Sequence, residues 1–253
     1  MWPAYVINLA DNTVRMDRAR AVLEGQGVAF QRVEAVNGWQ LPQDRIDACY
    51  NVARNARAGR QPLVPAEIGC YLSHIEAWRQ IAEGSAEGGV IFEDDFEANE
   101  TLRPVIEALS ADGARDWDMV KLFTLDPQVA LAQARDLIPG IRIGIPYRVP
   151  TCLIGYALTR SAAQRLLAQT TSFFRPVDED QKFVWETGLR VALVLPAPVR
   201  IGDQQAVTGT IGKARRAGRR GGLGQALHSL RYGLRYRRAL ACHRRKEGWS
   251  CDD

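Results

Sequence analysis

The sequence predicts an α/β protein, with a mainly parallel central sheet flanked by helices in a single domain and a basic helical tail behind it. Short apolar runs alternate along the chain with segments of helical periodicity, which is the pattern of parallel β-α-β units. The chain has 253 residues, 46% of them apolar, which is enough for one sizeable core. Charged residues make up 25%, and no apolar run approaches the ~20 residues of a membrane-spanning helix. Disordered and membrane-spanning classes are therefore excluded.

The order of the elements follows from periodicity and from turn residues. The helix that begins at Pro65 places Ile68, Tyr71, Trp78 and Ile81 on one face, so it is expected to pack on the sheet. The expected elements are strand 4–9, helix 14–26, strand 29–36, an irregular region 37–64 with a mobile loop at 54–62, the helix from Pro65, strands 89–92, 118–123 and 152–158, helix 161–167, and a last strand at 191–195.

The charge is distributed unevenly between two parts of the chain. Residues 213–253 carry twelve Lys or Arg and three acids, a net charge of +9, which leaves −5 for residues 1–212 from 21 bases and 26 acids. The segment 213–224 is rich in Gly and Arg, which disfavours a packed core and is typical of a hinge. We therefore predict a globular domain over 1–212 and a basic hinge with an amphipathic tail over 213–253.

The tail has the pattern of a basic amphipathic helix. Leucines recur at steps of four, three and four residues, with arginines elsewhere around the helix; they are Leu223, Leu227, Leu230 and Leu234. Such a helix can lie on an anionic membrane surface through residues 223–246. It can instead dock its leucines on the domain or on another subunit. Nucleic acid is not expected, because the basic residues form no recognised nucleic-acid module.

The five cysteines and the first residues indicate a reducing compartment. The cysteines are odd in number and scattered, with no C-x-x-C pair, so they read as reduced thiols, and Cys70 and Cys152 are expected to fill small core spaces. Residues 1–9 lack the features of a secretory signal. The sequence favours a cytoplasmic protein that is peripheral on the inner membrane if its tail binds lipid.

Three acids in a row stand at the end of an apolar strand: Glu93, Asp94 and Asp95. In open α/β sheets ligands bind at this carboxyl edge. Strand alternation would bring Glu93 and Asp95 to one side and Asp94 to the other. A divalent cation would relieve the repulsion, and oxygen ligands suit Mg²⁺ or Mn²⁺. The alternative is a solvated acidic turn that caps the next helix.

Seven blocks in the same order resemble glycosyltransferase family 25, the lipooligosaccharide and procollagen galactosyltransferases. The resemblance covers about residues 4–212. The blocks are YVINL (5–9) with Arg15 and Arg18 after it, EAVNG (34–38), EIGCYLSHIEAW (67–78), VIFEDDFE (90–97), WDMVKL (117–122), GYALTRSAAQRLL (155–167) and PVDED (176–180). It implies a GT-A-like fold and an inverting transfer of a hexose, galactose first, from a UDP-sugar to an acceptor hydroxyl of lipopolysaccharide, lipooligosaccharide or a related surface glycan or glycolipid.

The resemblance also implies roles for individual residues. Glu93 and Asp95 become the ligands of Mn²⁺ or Mg²⁺, with Asp178 the base or acceptor orienter and Asp180 second. The residues implied to bind the nucleotide-sugar are Asn8, Arg15, Arg18, His74, Glu93, Asp94, Thr151 and Tyr156. Pro150 stands where the family block usually has Gly, and no late His offers a third metal ligand.

A purely structural role is the alternative for some of these residues. Pro176 and Asp178 can simply start and cap a helix that runs through Phe183 and Trp185, and a helical His74 is commonly a core residue. At the level of function, the alternatives are a non-catalytic nucleotide-sugar-binding module and a metal-dependent phosphohydrolase. The phosphohydrolase is disfavoured because the chain contains three His in total.

Overall fold

The computed structural model of the chain describes residues 1–170, 172–202 and 223–249. Within these residues a mixed sheet is flanked by helices. The helices are α1 (Thr13–Gly25), α2 (Gln43–Cys49), α3 (Val52–Ala58), α4 (Pro65–Glu83), α5 (Leu102–Ser110), α6 (Arg160–Gln169), α7 (Val177–Asp180), α8 (Val184–Thr187) and α9 (Leu223–Lys246), with a 3-10 turn at Gly38–Gln40. The strands are β1 (Ala4–Asn8), β2 (Phe30–Glu34), β3 (Gly88–Glu93), β4 (Phe96–Ala98), β5 (Met119–Lys121), β6 (Leu131–Ile138), β7 (Ile141–Pro146), β8 (Gly155–Thr159), β9 (Val191–Leu195) and β10 (Val199–Ile201).

Eight strands form the central sheet in the order β2-β1-β3-β8-β5-β9-β7-β6, and β10 and β4 form a separate pair. β8 and β7 run against the others, so six of the eight strands share one direction. The expected mainly parallel sheet flanked by helices is confirmed in this sense. Four of the seven strand pairs are antiparallel, two because β8 lies between β3 and β5 and two because β7 lies between β9 and β6.

Two apolar clusters cover the two faces of the sheet. Along β1, Ala4 and Val6 belong to one cluster, while Tyr5 and Ile7 belong to the other. Helices α1 and α5 pack on the first face, and α4 and α6 on the second. All five residues of β1 are buried, because the strand is covered on both faces. Strands of this kind have nearly continuous apolar runs in the sequence. This explains why the apolar runs at β1 and β3 predict strands so well.

A close backbone approach joins two of the sequence blocks. A Cβ on Gly38 would lie 1.7 Å from the Pro65 carbonyl oxygen, and one on Gly69 would lie 2.4 Å from that of Val36. Ser73 strengthens the contact, since its Oγ accepts from the Val36 amide at 2.8 Å and donates to the Gly69 carbonyl at 2.7 Å. The EAVNG block therefore sits directly on the first turns of α4.

Several expected elements differ from the structure. The region 37–64, expected to be irregular, contains the 3-10 turn, α2 and α3, and the loop expected at 54–62 is helical as far as residue 58. The helix expected from Pro176 through Trp185 is two short helices, α7 and α8. Strand 191–195 is not the last strand, because β10 follows it and pairs with β4. The strand expected from 152 begins at 155, as β8.

The tail helix α9 docks on the domain with a face that the leucine pattern did not single out. Tyr236 and Leu240 are buried against Phe183, and the Arg244 guanidinium donates to the carbonyls of Pro146 and Tyr147 at 2.8 and 2.9 Å. The leucines of the stripe whose side chains are described, Leu227, Leu230 and Leu234, are 51–60% exposed. The tail helix therefore docks on the domain, but through the face that carries Tyr236 and Leu240 and not through the leucine stripe. The expected domain boundary near 212 and the hinge at 213–222 lie outside the described residues.

None of the helices in the described ranges combines the length and the apolar character needed to cross a lipid bilayer.

Candidate functional site

The candidate site lies at one edge of the sheet, where three parallel strands end. β1 ends at Asn8, β3 at Glu93 and β5 at Lys121, and the segment that leads into β8 passes the same edge. The sheet order places β3 next to β1 on one side and next to β8 on the other. Residues that are more than 80 positions apart in the chain therefore meet here, at the carboxyl edge where ligands bind in such sheets.

The acidic triplet is partly neutralised by groups from β1 and α1. Asn8 Nδ2 donates to Asp94 Oδ2 at 2.7 Å, and Arg15 Nη1 lies 2.9 Å from Asp94 Oδ1 and 3.5 Å from Asp95 Oδ2. The expected separation of Asp94 from Asp95 is wrong, because β3 stops at Glu93 and the following turn brings both aspartates to one guanidinium. Arg32 Nε in turn donates to Asn8 Oδ1 at 3.1 Å, which orients the amide.

Asp95 is a carboxylate with too little positive charge around it. Burial and the neighbouring charge of Glu93 raise the pKa of Asp95 to about 7, and Arg15 opposes this only in part. Its Oδ1 is buried and has no hydrogen-bond partner in the described part of the chain. A buried carboxylate oxygen without a donor beside a second carboxylate fits a divalent cation with a preference for oxygen ligands. Glu93 and Asp95 are therefore suited to hold such an ion.

Glu93 is oriented from behind by a buried chain of side chains. Trp78 Nε1 donates to the Tyr156 hydroxyl at 2.8 Å, this hydroxyl lies 2.9 Å from His74 Nδ1, and His74 Nε2 lies 3.3 Å from Glu93 Oε1. In the tautomer in which Nε2 donates a hydrogen bond to Glu93, Nδ1 accepts one from the Tyr156 hydroxyl. His74 and Tyr156 are fully buried. The geometry thus gives them a positioning role in place of the direct nucleotide-sugar contact that the sequence predicts.

Cys70 lies close to the same pair. The ligand atoms of Cys70, His74 and Glu93 lie within 4.8 Å of one another. Burial and the charges of Glu93 and Asp178 raise the pKa of the Cys70 thiol well above its usual range. A thiol must lose its proton to bind a metal, so the oxygen pair Glu93 and Asp95 is the better cation site.

A buried lysine, Lys121, joins the acidic end of β3 to the PVDED block. Lys121 is 1% exposed, and its Nζ donates to the Cys152 carbonyl. Burial lowers its pKa to about 8, while the charges of Cys152, Asp178 and Glu93 act in the opposite direction. Lys121 is not among the residues that the sequence predicts at the site, although a lysine inside the apolar run of WDMVKL is the signal that points to it.

Asp178 faces this lysine and shapes the loop before β8. Its Oδ2 accepts from the Cys152 amide at 3.3 Å, and Cys152 has a positive φ of 70°. A non-glycine residue in this region is uncommon and is found where surrounding contacts hold the backbone in place. Thr151, next to Cys152 in this loop, is half-buried. The structure thus brings Asp178, Cys152 and Lys121 together, with Glu93 close enough to influence their charges.

Asp180 faces away from this group. Its Oδ1 lies 2.8 Å from Arg175 Nη2, and its Oδ2 accepts from the Tyr71 hydroxyl at 2.7 Å. Arg175 is 3% exposed, so Asp180 serves as the counter-charge of a buried cation. Asp180, the second candidate for the catalytic base, therefore has a structural role in the fold. Asp178, the first candidate, lies at the sheet edge. Arg18 is exposed on α1, one turn beyond Arg15.

Comparison with known proteins identifies the family. A family model described as glycosyltransferase family 25 (LPS biosynthesis protein) matches residues 1–128, about half of the chain. Procollagen galactosyltransferase 1-B of Xenopus laevis is 28% identical over 183 residues, which cover 69% of this chain and 30% of that protein. The inactive glycosyltransferase 25 family member 3 of Homo sapiens is 29% identical over 186 residues, again 69% and 30% of the two chains.

A third relative, procollagen galactosyltransferase 2 of Mus musculus, is 27% identical over 184 residues that cover 69% of this chain and 29% of that protein. The match to these curated relatives therefore spans less than a third of their length. The part of the chain that matches the family model includes the acidic triplet, Arg15, His74 and Lys121. On these grounds the chain belongs to glycosyltransferase family 25.

Proposed function

We propose that this chain transfers a hexose, galactose first, from a UDP-sugar to an acceptor hydroxyl with inversion at the anomeric carbon. The observation that carries the proposal is the meeting of Glu93 and Asp95 with Asp178 at one sheet edge, around the buried Lys121. Family membership and the printed names of the galactosyltransferase relatives support the choice of reaction. A GT-A-like fold and an acceptor in lipopolysaccharide or lipooligosaccharide remain predictions from the resemblance.

The donor diphosphate would lie against the acidic triplet and α1. Arg15 already holds two carboxylates there, and a guanidinium is suited to phosphate oxygens as well. A divalent cation, Mn²⁺ or Mg²⁺, held by Glu93 and Asp95 would supply the positive charge that stabilises a leaving diphosphate. Asn8 donates to Asp94 and holds this carboxylate beside Arg15.

Asp178 would take the proton of the acceptor hydroxyl at Oδ1. Its other oxygen, Oδ2, accepts from the Cys152 amide, which fixes the direction of the carboxylate. An inverting transfer needs such a base on the face of the sugar opposite the leaving group. Lys121 places a buried positive charge near Asp178 and Glu93.

An alternative function is a non-catalytic module that binds nucleotide-sugar without turnover. The observation that favours it is the similarity to a relative named as an inactive family member. The two functions predict the same donor binding and differ in turnover. A phosphohydrolase is disfavoured, since among the described residues the site contains one His, and that His is buried behind Glu93.

The proposal is tested by calorimetric titration of UDP-galactose, UDP-glucose and GDP-mannose in the presence of Mn²⁺. We expect a UDP-sugar to bind to the wild-type chain and to bind at least tenfold more weakly to Arg15→Ala. Arg20→Ala is the matched control, because the same charge is removed from an exposed position on the same helix. Absence of UDP-sugar binding to the wild type would refute the proposed function.

The tail supports a second part of the proposal, contact with an anionic membrane. The exposed side chains of Leu227, Leu230 and Leu234 lie on a helix that also carries exposed arginines, and its docked face leaves them uncovered by the described residues. We expect sedimentation with phosphatidylglycerol vesicles but not with phosphatidylcholine vesicles. Leu230→Glu with Leu234→Glu would abolish it, and Val52→Glu, also at an exposed position, would not. Such contact would fit a cytoplasmic chain that is peripheral on the inner membrane.

A further inference from the structure

A cavity of about 340 Å³ lies between the docked tail helix and the domain, and we call it the tail cavity. α3 with Gly59 after it, the segment 174–186 and the middle of α9, from residue 228 to residue 239, form its walls. The tail is held there by specific contacts: His228 Nε2 lies 2.7 Å from the Gly59 carbonyl oxygen, and Arg235 Nη1 lies 3.5 Å from that of Arg57. The cavity therefore exists only because α9 docks as it does.

The walls of the tail cavity carry a large excess of positive charge. Five arginines and one acid, Glu186, line it; the arginines are Arg54, Arg57, Arg175, Arg231 and Arg235. Glu186 is shared by Arg175 and Arg54, at 3.9 Å from the latter. The other three arginines have no ion pair among the described residues. Such a cluster is suited to a ligand that bears a carboxylate or phosphate.

Aromatic side chains form the rest of the wall. Phe174, Phe183, Trp185, Tyr232 and Tyr236 line the cavity beside the arginines. The Arg175 guanidinium is fixed between two of these rings, 4.4 Å from the centre of Phe174 and 3.6 Å from that of Phe183. Aromatic faces bury the apolar side of a bulky ligand, and tyrosine hydroxyls offer hydrogen bonds to it.

The buried polar atoms of the wall that have no partner within the described residues include Nε of Arg175, a residue that is 3% exposed, and the hydroxyl of Tyr236, a residue that is 8% exposed. An unsatisfied buried donor costs about 1–3 kcal/mol, so such atoms mark places where a ligand can form hydrogen bonds. The cavity thus combines positive charge, aromatic faces and unsatisfied donors.

We infer that the tail cavity binds an acidic or phosphorylated saccharide, and that this saccharide is the anionic part of the acceptor. The acceptor assignment rests on the proposed function, whereas the binding itself does not. The cavity lies across α7 from the sheet edge: Arg175 contacts Asp180 on one side of this helix, and Asp178 faces Cys152 on the other. An extended glycan anchored in the cavity could pass around α7 to present a hydroxyl at Asp178.

The test compares two double variants with equal loss of charge. Arg57→Ala with Arg231→Ala removes two cavity arginines that have no ion pair among the described residues, and Arg237→Ala with Arg238→Ala removes two exposed arginines of α9 outside the cavity. Calorimetry measures the binding of glucose 6-phosphate, glucuronate, glucose and inorganic phosphate. Thermal denaturation verifies that both variants are folded.

We expect glucose 6-phosphate or glucuronate to bind to the wild type more tightly than glucose or phosphate alone. The cavity variant should lose at least tenfold in affinity, since a hydrogen bond to a charged group contributes about 1.5–3 kcal/mol and about 1.4 kcal/mol is tenfold. The control variant should stay within about twofold. Equal weakening in both variants, or a charged sugar that binds no better than phosphate, would overturn the inference.

Two further measurements distinguish saccharide binding in the tail cavity from lipid binding and from the proposed function. Phosphatidylglycerol vesicles test a lipid headgroup as the source of the anion, and a cavity variant that loses vesicle binding while it keeps sugar binding would overturn the saccharide assignment. UDP-galactose binding is measured on the same samples. If the wild type binds UDP-galactose but no charged sugar, the inference alone fails; if it binds the charged sugar but no UDP-sugar, the proposed function fails.

Discussion

His74 Nε2 lies 3.3 Å from Glu93 Oε1, and this contact connects the buried aromatic pair Trp78 and Tyr156 to the acidic end of β3. A conformationally free glutamate at the end of a strand would sample several rotamers. The histidine instead fixes one carboxylate oxygen, so that the other can face the sheet edge. Polar residues behind a metal ligand commonly act in this way.

The first prediction concerns this positioning role. His74→Ala should lower the affinity for Mn²⁺ by about 10–100-fold, because the partner that orients Glu93 is removed. His74→Gln should recover part of the affinity, since its amide can donate to Glu93. Titration calorimetry with Mn²⁺ measures both variants, and unchanged affinity in His74→Ala would show that Glu93 needs no orientation.

The second prediction separates the two aspartates of α7. Asp178→Asn should reduce turnover by about 10²–10⁴-fold, the range for loss of a general base, and leave the thermal transition near that of the wild type. Asp180→Asn should instead lower the free energy of unfolding by about 1–3 kcal/mol, because it removes one of the two carboxylates that pair with the buried Arg175 guanidinium and leaves Glu186 as the other. Turnover assays and urea denaturation are measured on both variants. A stable, fully active Asp178→Asn would remove this residue from its role.

The third prediction uses the charge of Lys121. Its pKa of about 8 in the folded chain lies below the ordinary value of 10.5, so the ammonium is lost as pH rises through about 8. If the positive charge supports Asp178 and Glu93, turnover falls above that pH. Lys121→Met should be slow throughout and lack this decrease. A pH profile of turnover, recorded for both chains from pH 6 to pH 10, provides the test.

The lowered pKa of Lys121 also predicts how the free energy of unfolding changes with pH. Between about pH 8 and 10.5 the unfolded chain binds the Lys121 proton and the folded chain does not, so the free energy of unfolding should rise with pH across this window. Lys121→Met should lack that rise. Urea denaturation of both chains is measured at each pH in this window. A difference in the free energy of unfolding between the wild type and Lys121→Met that stays constant with pH would contradict the assignment.

The fourth prediction concerns the contact between Gly38 and Gly69. Gly69→Ala should destabilise the fold by about 1–3 kcal/mol, although alanine favours helices, because the added Cβ would overlap the Val36 carbonyl and the backbone of Gly38. The matched control is Gly25→Ala in α1, where a Cβ meets no atom within 4 Å and a gain of up to about 1 kcal/mol is expected. Thermal denaturation measures both, and a neutral Gly69→Ala would show that the approach of the two segments is loose.

The sheet edge could be predicted from the sequence because continuous apolar runs mark buried strands. β1 and β3 are such runs, and the polar residues directly after them, Asn8 and Glu93, therefore had to meet at one edge. The mixed character of the sheet was not predictable in this way. Nothing in the apolar run of β8 records that it runs against β3 and β5.

Short helices and the β6–β7 hairpin show why other elements were missed. α2 and α3 are seven residues long, below the length at which helical periodicity is visible, and α3 is held by tertiary contacts such as the bonds from Asn55 Nδ2 to the Gln61 and Phe174 carbonyls. The hairpin had a local signal, since Pro139 and Gly140 form its two-residue turn and Gly140 has a φ of 78°.

At the site, residue type predicted charge but not direction. The resemblance ranks Asp178 ahead of Asp180, but only their neighbours in space show that one lies at the sheet edge and the other pairs with Arg175. Lys121 was missed because a lysine in a strand normally indicates an exposed position, whereas this one lies at the end of a buried strand between carboxylates.

The most direct test of the central claim is the release of UDP from a panel of UDP-sugars, with and without Mn²⁺, by the wild-type chain and by Asp95→Ala. The account predicts Mn²⁺-dependent release from one donor by the wild type and a loss of at least about 10²-fold in the variant, because it removes the carboxylate whose Oδ1 has no hydrogen-bond partner among the described residues. Equal release by the two chains, or release that does not depend on the cation, would contradict it.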